Sequence, residues 1–174
     1  FPALGNVPAL EAKILEEKTS GDSVGGIVEC VVDGFPAGIG NALFGGLEGK
    51  ISSAVFGIPA VKGVEFGDGF ALAEMFGSEA NDPIRVENGV FYTETNRSGG
   101  INGGISNGMP ITLAVAFRPT PSIAKPQKSV DLVTKENVEI AIKGRHDACI
   151  VPRAVPVVEA AVAIALLDEL LSEK

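Results

Sequence analysis

Apolar residues near the start of the chain recur at the spacing of an α-helix. Leu10 and Ile14 fall on one side, while charged residues between positions 11 and 18 take the other. Asn6 is a residue type that caps helices, and Pro8 suits a first helical turn. The pattern therefore predicts a surface helix that begins at Pro8 and ends near Thr19.

Several further stretches alternate or carry β-branched residues over lengths typical of strands. They cover residues 25–33, 61–66, 90–94, 111–117, 128–132 and 137–142. A short helix is predicted at 51–58, ended by Pro59. Because the strands follow one another through turns more often than through crossover helices, the order predicts an α+β fold, with antiparallel β-sheets packed on long buried helices.

The C-terminal part of the chain shows a different pattern. Pro156 is predicted to start a helix, with Glu159 in its first turn and Lys174 at its end. Residues 157–167 are apolar nearly all the way round. A helix without a polar face is buried on all sides, so this one is predicted to be the centre of a larger body or an interface.

The charge of the chain limits the partners it can bind. The formal net charge is −8 and the pI is about 4.7, so the basic surface of a nucleic-acid binder is not expected. No apolar run reaches the roughly 18 to 20 residues of a membrane span, and no signal-peptide pattern precedes the first helix. These features predict a soluble, cytoplasmic protein that binds neither nucleic acid nor membrane.

The sequence does not indicate a metal site. The cysteines, Cys30 and Cys149, lie far apart without CxxC spacing, and the chain has one histidine, His146. A structural zinc site needs about four such ligands. Both cysteines are instead predicted to be small buried hydrophobic residues.

Candidate chemistry concentrates in one stretch, residues 144–156, which contains the only histidine of the chain. Arg145 can offer two parallel donors to a phosphate or a carboxylate. His146 can carry a proton near neutral pH, and Asp147 can accept one. The tripeptide, called the RHD loop below (residues 145–147), combines anion binding with acid/base capacity. A salt-bridged loop at the end of a strand would use the same residue types.

A second candidate is the proline loop (residues 118–122), which follows the strand predicted at 111–117. Its members are Arg118, Pro119, Thr120, Pro121 and Ser122. The prolines fix φ on either side of Thr120 and leave a guanidinium and hydroxyl groups on a stiff loop, which suits a phosphate. The alternative interpretation is a rigid sheet corner with an exposed arginine.

Glycines cluster between residues 99 and 108, at Gly99, Gly100, Gly103, Gly104 and Gly108. Such residues let backbone N–H groups approach an anion without a Cβ in the way. The spacing matches no nucleotide-binding motif, however, so by itself it favours a tight turn or close sheet packing over a ligand site.

Six blocks of the sequence, taken in order, resemble one known family. They are Asp22-Ser-Val-Gly-Gly, Ile58-Pro-Ala-Val-Lys-Gly-Val-Glu-Phe-Gly-Asp-Gly-Phe, Gly77-Ser-Glu-Ala-Asn-Asp, Gly99-Gly-Ile-Asn-Gly-Gly-Ile-Ser-Asn-Gly, Phe117-Arg-Pro-Thr-Pro-Ser-Ile, and Gly144-Arg-His-Asp-Ala-Cys followed by Val151-Pro-Arg-Ala-Val-Pro. This set is similar to the sequence blocks of chorismate synthase, and it spans nearly all of the chain.

The resemblance implies a fold, a reaction and an assembly. The fold would be a sandwich of helices between antiparallel sheets, assembled as a homotetramer. The activity would be the anti-1,4-elimination of phosphate from 5-enolpyruvylshikimate 3-phosphate to give chorismate, in the shikimate pathway. Reduced FMN would be the unconsumed cofactor, with NADPH as a candidate flavin reductant.

The resemblance also implies roles for individual residues. Asp147 and His146 would be catalytic, with Asp147 aiding proton acceptance by the flavin N5. The cofactor would be contacted by Pro59, Ala60, Gly103, Arg118, Pro119, Thr120, Pro121, Ser122 and Arg145. No metal is implied. The family more often has lysine where this chain has Arg118, which keeps the charge and changes the geometry.

Residues 1–174 match only the C-terminal part of the family pattern. We therefore expect them to form part of a single chorismate-synthase-like domain and to be inactive by themselves. Two other functions use the same features. One is a non-catalytic phosphate or nucleotide binder, and the other is a structural half that serves assembly.

Overall fold

The computed structural model describes residues 7–172, the side chain of Val7 excepted. The predicted cap Asn6 and the predicted helix end Lys174 lie outside the described residues. The helices are α1 (Val7–Ser20), α2 (Leu47–Phe56), the single turn α3 (Gly77–Ala80) and α4 (Val151–Ser172). The strands are β1 (Gly26–Val32), β2 (Val61–Phe66), β3 (Ile84–Glu87), β4 (Val90–Thr93), β5 (Ile101–Asn102), β6 (Ile105–Ser106), β7 (Ile111–Phe117), β8 (Gln127–Val130) and β9 (Asn137–Ile140).

The chain divides into two compact units. Unit 1 consists of the chain up to Gly26 together with Arg118–Pro152, and unit 2 consists of Ile27–Phe117 and the chain from Arg153 onward. In unit 1, the described elements are α1 and the antiparallel hairpin β8–β9, in which Lys128 pairs with Glu139.

Unit 2 contains the larger sheet, in the order β1-β7-β2. The central strand β7 alternates between the two faces of the sheet, and its buried side chains are Ile111, Leu113, Val115 and Phe117. Helix α2 packs on the neighbouring strand β2 and buries Leu47, Ile51 and Val55. The core of unit 2 therefore forms where the apolar face of the sheet meets the apolar stripe of α2.

The antiparallel part of the prediction is confirmed. β2 pairs antiparallel with β7, and the hairpins β3–β4, β5–β6 and β8–β9 are also antiparallel. The predicted bounds 61–66 and 111–117 agree with β2 and β7. The sequence predicts only the second strand of the β3–β4 hairpin, Val90–Thr93, which consists of aromatic and β-branched residues, whereas Ile84–Glu87 carries charged residues at two of its four positions.

The predicted start of the C-terminal helix is wrong. Helix α4 begins at Val151, and Pro156 lies inside it. Pro156 lacks the N–H that would bond the carbonyl of Pro152, so the helix forgoes one hydrogen bond in its second turn. Pro152, rather than Pro156, occupies the helix start that favours proline.

Helix α4 is buried along one face rather than all round. Its inner stripe is formed by Val158, Val162, Leu166 and Glu169, which are at most 3% exposed. Glu169 lies beside the ammonium group of Lys50 on α2, and this ion pair joins the two helices. The outer stripe, by contrast, is apolar and exposed, with Ile164 68% and Leu167 55% accessible.

We expect Lys50→Met to destabilise the protein, because it removes the partner of a carboxylate that is only 2% exposed. Lys50 itself is partly accessible, so the loss should be about 1.5 to 3 kcal/mol in the free energy of unfolding, the range for a hydrogen bond to a charged group. Denaturant unfolding measures it. Lys62→Met, at an exposed position of β2, is the control, and equal losses from the two variants would contradict a stabilising pair.

Candidate active site

The proline loop follows the last residue of β7 in the sequence and belongs to unit 1. Arg118 is exposed, whereas Thr120 is half-buried between its two prolines. The hydroxyl oxygen of Thr120 is buried and has no hydrogen-bond partner among the described residues. A buried hydroxyl without a partner is costly, so this atom is suited to bind a ligand atom or a water molecule.

The RHD loop lies between β9 and α4, also in unit 1. Arg145 and Asp147 are exposed, and His146 is half-buried. Nε2 of His146 lies 3.2 Å from the carbonyl oxygen of Ile142, an atom that can only accept, so Nε2 carries the hydrogen. His146 thereby shapes the loop, and Nδ1 is the nitrogen left for chemistry in the neutral ring.

The proline loop and the RHD loop are held by the same short segment of unit 1. The hydroxyl of Ser23 donates to the carbonyl oxygen of Thr120 at 2.6 Å. The N–H of the next residue, Val24, donates to the carbonyl oxygen of Ala148 at 2.8 Å. Two adjacent residues therefore bond the backbone within the proline loop and immediately after the RHD loop, and these two loops are more than twenty residues apart in sequence.

Pro59 and Ala60 lie in unit 2, in a turn between α2 and β2. The N–H of Val61 donates to the carbonyl oxygen of Ile58 at 3.3 Å, and this bond closes the turn. Ala60 has φ +73°, at the position where a type II turn favours glycine. A non-glycine residue in that region costs about 1–2 kcal/mol, and such strain is common at functional sites.

The glycine cluster forms the β5–β6 hairpin of unit 2. Gly103 and Gly104 make its turn, with φ +60° and +88°, as a two-residue hairpin connection requires. A Cβ on Gly104 would lie 2.3 Å from the carbonyl oxygen of Asn41, whereas one on Gly103 would meet nothing within 4 Å. The spacing thus correctly indicates both a tight turn and close packing, and Gly103 faces open space.

These two unit 2 segments lie at opposite ends of α2. The Gly104 carbonyl accepts from the N–H of Leu47, the first residue of the helix, at 2.9 Å. The Pro59–Ala60 turn follows the last residue, Phe56. A helix of ten residues is about 15 Å long, so a ligand that contacts both turns must extend along the helix.

A cleft of about 890 Å³ also lies in unit 2, and none of the predicted site residues lines it. Asp82, on its wall, accepts hydrogen bonds from Thr95 Oγ1 at 2.6 Å and from the N–H groups of Arg97 and Ser98 at 2.7 and 3.0 Å. Burial alone would raise the pKa of Asp82, but these bonds outweigh it and hold the pKa below its ordinary value. The carboxylate therefore fixes the segment that precedes Gly99, and this contribution is lost as pH falls through the lowered pKa.

The cysteines are less buried than the sequence predicts. Cys30 and Cys149 are both free thiols of intermediate exposure. Burial, helped by the nearby Glu159 carboxylate, raises the pKa of Cys30, so this thiol is protonated at neutral pH.

Within residues 7–172, no group of three metal-ligating side chains is arranged to hold an ion. Over the same residues, no helix has the length and apolar character needed to cross a membrane.

Comparisons with known proteins agree on one family. A family profile described as chorismate synthase matches residues 4–171. Chorismate synthase of Thermococcus gammatolerans is 56% identical over 166 residues, which cover 93% of this chain and 47% of that protein. Chorismate synthase of Archaeoglobus fulgidus is 56% identical over 155 residues, which cover 89% of this chain and 43% of that protein.

A crystal structure of chorismate synthase is similar to this fold, with a TM-score of 0.77 and 34% identity, over 95% of this chain and 43% of that chain. The fold is thus the α+β fold of an enzyme that is known from a solved structure. The chain belongs to the chorismate synthase family. It spans about half the length of the curated relatives it matches.

Proposed function

We propose that this chain supplies part of a chorismate synthase, a cytoplasmic lyase of aromatic amino acid biosynthesis. The reaction would be the anti-1,4-elimination of phosphate from 5-enolpyruvylshikimate 3-phosphate. The observation that carries the proposal is the Ser23–Val24 segment of unit 1, which bonds the proline loop at Thr120 and the chain just after the RHD loop at Ala148. Cationic, hydroxyl and carboxylate groups thereby come from two loops with a common support.

In this elimination one C–H bond and one C–O(phosphate) bond break, a new C=C bond forms, and there is no net change of oxidation state. Arg118 and Arg145 would bind phosphate groups through charge-assisted hydrogen bonds, which strengthen as water is excluded. Asp147 would support removal of the ring proton, because a carboxylate can accept it. His146, held by the Ile142 carbonyl, would keep the RHD loop in place and offer Nδ1.

Reduced FMN fits the chemistry of the proline loop. The phosphate of FMN needs cationic and hydroxyl donors, and the loop offers the exposed Arg118, the hydroxyl of Ser122 and the hydroxyl of Thr120, which has no partner within residues 7–172. Pro59, Ala60 and Gly103 remain proposed contacts of the cofactor, Pro59 through its carbonyl. When bound, reduced FMN would lend electron density as phosphate leaves. NADPH is proposed as its reductant.

A chimera tests the proposed activity. In it, this chain replaces the matched 166 residues of the Thermococcus gammatolerans relative. We expect the chimera to convert 5-enolpyruvylshikimate 3-phosphate to chorismate when reduced FMN is supplied, whereas residues 1–174 alone should be inactive. The parent enzyme is the control. A folded chimera that binds substrate and FMN without turnover would contradict the proposal and favour a non-catalytic phosphate binder.

The outer face of α4 supports a role in assembly as well. Its exposed stripe is formed by Val157, Ala160, Ile164, Leu167 and Leu171. The intervals alternate between three and four residues, which is the spacing that packs against another helix. An apolar stripe of this length is unusual on a surface that faces only water. We propose that it is covered in a homotetramer of the full-length enzyme.

We expect residues 1–174 to self-associate through this stripe, and Leu167→Glu to reduce the association because it places a charge at the centre of the apolar contact. Light scattering should give a mass above 17.9 kDa for the unaltered chain and a lower mass for the variant. Ser172→Glu adds the same charge at an exposed position outside the stripe and is the control. A monodisperse monomer of the unaltered chain would show that the stripe does not drive association.

A further inference from the structure

The segment from Gly21 to Val24 makes a series of contacts with distant parts of unit 1. The Gly21 carbonyl accepts from the N–H groups of Ala124 and Lys125 at 2.9 and 3.2 Å. The Asp22 carboxylate lies 2.7 Å from the ammonium group of Lys125. With the bonds of Ser23 and Val24 described above, the segment is anchored just after the proline loop, within it, and just after the RHD loop.

Ser23 differs from its neighbours because its side chain, rather than its backbone, bonds the proline loop. Val24 contributes a backbone N–H, which other residue types could also supply, and Gly21 contributes a backbone carbonyl at φ +75°, where glycine is favoured. Asp22 and Lys125 form a partly exposed ion pair, and pairs of this kind contribute little to stability. The Ser23 hydroxyl is a side-chain group, half-buried, and it bonds the backbone between the two prolines, 97 positions along the chain.

The bond to the Thr120 carbonyl constrains a part of the loop that the prolines do not fully fix. The rings of Pro119 and Pro121 fix their own φ angles, and Pro121 restricts ψ of Thr120 to extended values, but the peptide that joins Thr120 to Pro121 can still rotate within that range. Ser23 holds the oxygen of that peptide. It therefore limits the rotation of the Thr120 backbone and the direction of the Thr120 side chain.

The Thr120 hydroxyl is the group whose orientation the Ser23 hydrogen bond would restrict. It is buried without a partner among the described residues, although a threonine hydroxyl can donate one hydrogen bond and accept two. A hydroxyl held in one direction before a ligand arrives loses less entropy when it binds than one that must first be ordered.

We propose that Ser23 is a positioning residue for phosphate recognition, acting through the Thr120 carbonyl; this inference rests on the proposed role of the proline loop as the site of the FMN phosphate. Ser23 does not itself touch the phosphate. Its contribution is to fix the orientation in which the Thr120 hydroxyl meets a phosphate oxygen.

Paired titrations with FMN and riboflavin test the proposal, because the two flavins differ by the phosphate alone. In the full 174-residue chain, Ser23→Ala should weaken FMN by about 2- to 12-fold, the equivalent of one neutral hydrogen bond, and leave riboflavin affinity unchanged. Ser23→Thr keeps the hydroxyl and should restore most of the FMN affinity. Ser20→Ala, which removes an exposed hydroxyl bonded within α1, should change neither flavin.

A double-mutant cycle distinguishes positioning from a general loss of structure. If Ser23 acts through Thr120, the Ser23→Ala/Thr120→Val double variant should bind FMN no more weakly than Thr120→Val alone. Additive losses, unchanged FMN affinity in Ser23→Ala, or equal losses for FMN and riboflavin would each overturn the proposal for Ser23. If the unaltered chain fails to prefer FMN over riboflavin, the proposed phosphate site itself is wrong, and the proposal for Ser23 falls with it.

Discussion

Replacing Asp147 by asparagine is expected to lower turnover of the chimera by about 10²–10⁴, the usual share of general acid/base catalysis. Asparagine keeps the shape of aspartate and much of its hydrogen bonding but lacks the basicity by which Asp147 would aid removal of the ring proton. Asp147 is exposed, so its replacement should leave the melting temperature nearly unchanged. FMN affinity should also be preserved. Turnover with supplied reduced flavin, measured beside a melting curve, gives both quantities.

The matched control for this variant is Glu139→Gln, which neutralises an exposed carboxylate on β9 of the same unit. It should leave turnover unchanged. Near-normal turnover of Asp147→Asn would show that Asp147 takes no part in the reaction. A collapsed melting temperature would instead assign it a structural role, because the loss of activity would then follow from the loss of the RHD loop.

Replacing Arg118 by alanine is expected to weaken FMN binding by about 1.5–3 kcal/mol, or roughly 10- to 150-fold. The guanidinium would bind phosphate oxygens through charge-assisted hydrogen bonds, and the stiff proline loop loses little entropy on binding. Reduced FMN should be bound more tightly than oxidised FMN by the unaltered protein. Fluorescence titration of oxidised FMN with the 174-residue chain measures the loss, and an anaerobic titration compares the two redox states.

Arg118→Lys refines the same experiment, since lysine keeps the positive charge and lacks the planar fork. Partial recovery of affinity is expected from the charge alone. Arg85→Ala, on the exposed strand β3 of unit 2, removes an arginine outside the proposed site and should leave FMN affinity unchanged. Unchanged affinity in Arg118→Ala would show that the proline loop does not bind the flavin phosphate.

The limits of sequence-based prediction are clearest in α4. Its inner and outer stripes are both apolar, so the periodicity gives no polar face and predicts burial on all sides. Among the described residues of α4, the stripe that contains Val158 and Val162 is covered, whereas Ile164 and Leu167 are exposed. The pattern of a helix records which faces are apolar, but not what covers them. The start of α4 was also mispredicted, because a proline at a helix start and one just inside it look alike in sequence.

Features that depend on neighbouring residues could be predicted from the amino-acid sequence. The alternation of β7, the bounds of β2, the tight turn at Gly103–Gly104 and the stiffness of the proline loop all follow from residue types a few positions apart. The six ordered blocks likewise sufficed to identify the family.

The support of the two candidate loops, by contrast, could be seen only in the folded chain. Ser23 lies in a block with no evident chemistry of its own, and its bond to Thr120 closes a loop of nearly a hundred residues. The strained turn at Ala60 was equally hidden, since alanine does not ordinarily mark a positive φ. Both features arise from the geometry of packed backbone segments, and such geometry depends on contacts between residues that are distant in the chain, which no local pattern records.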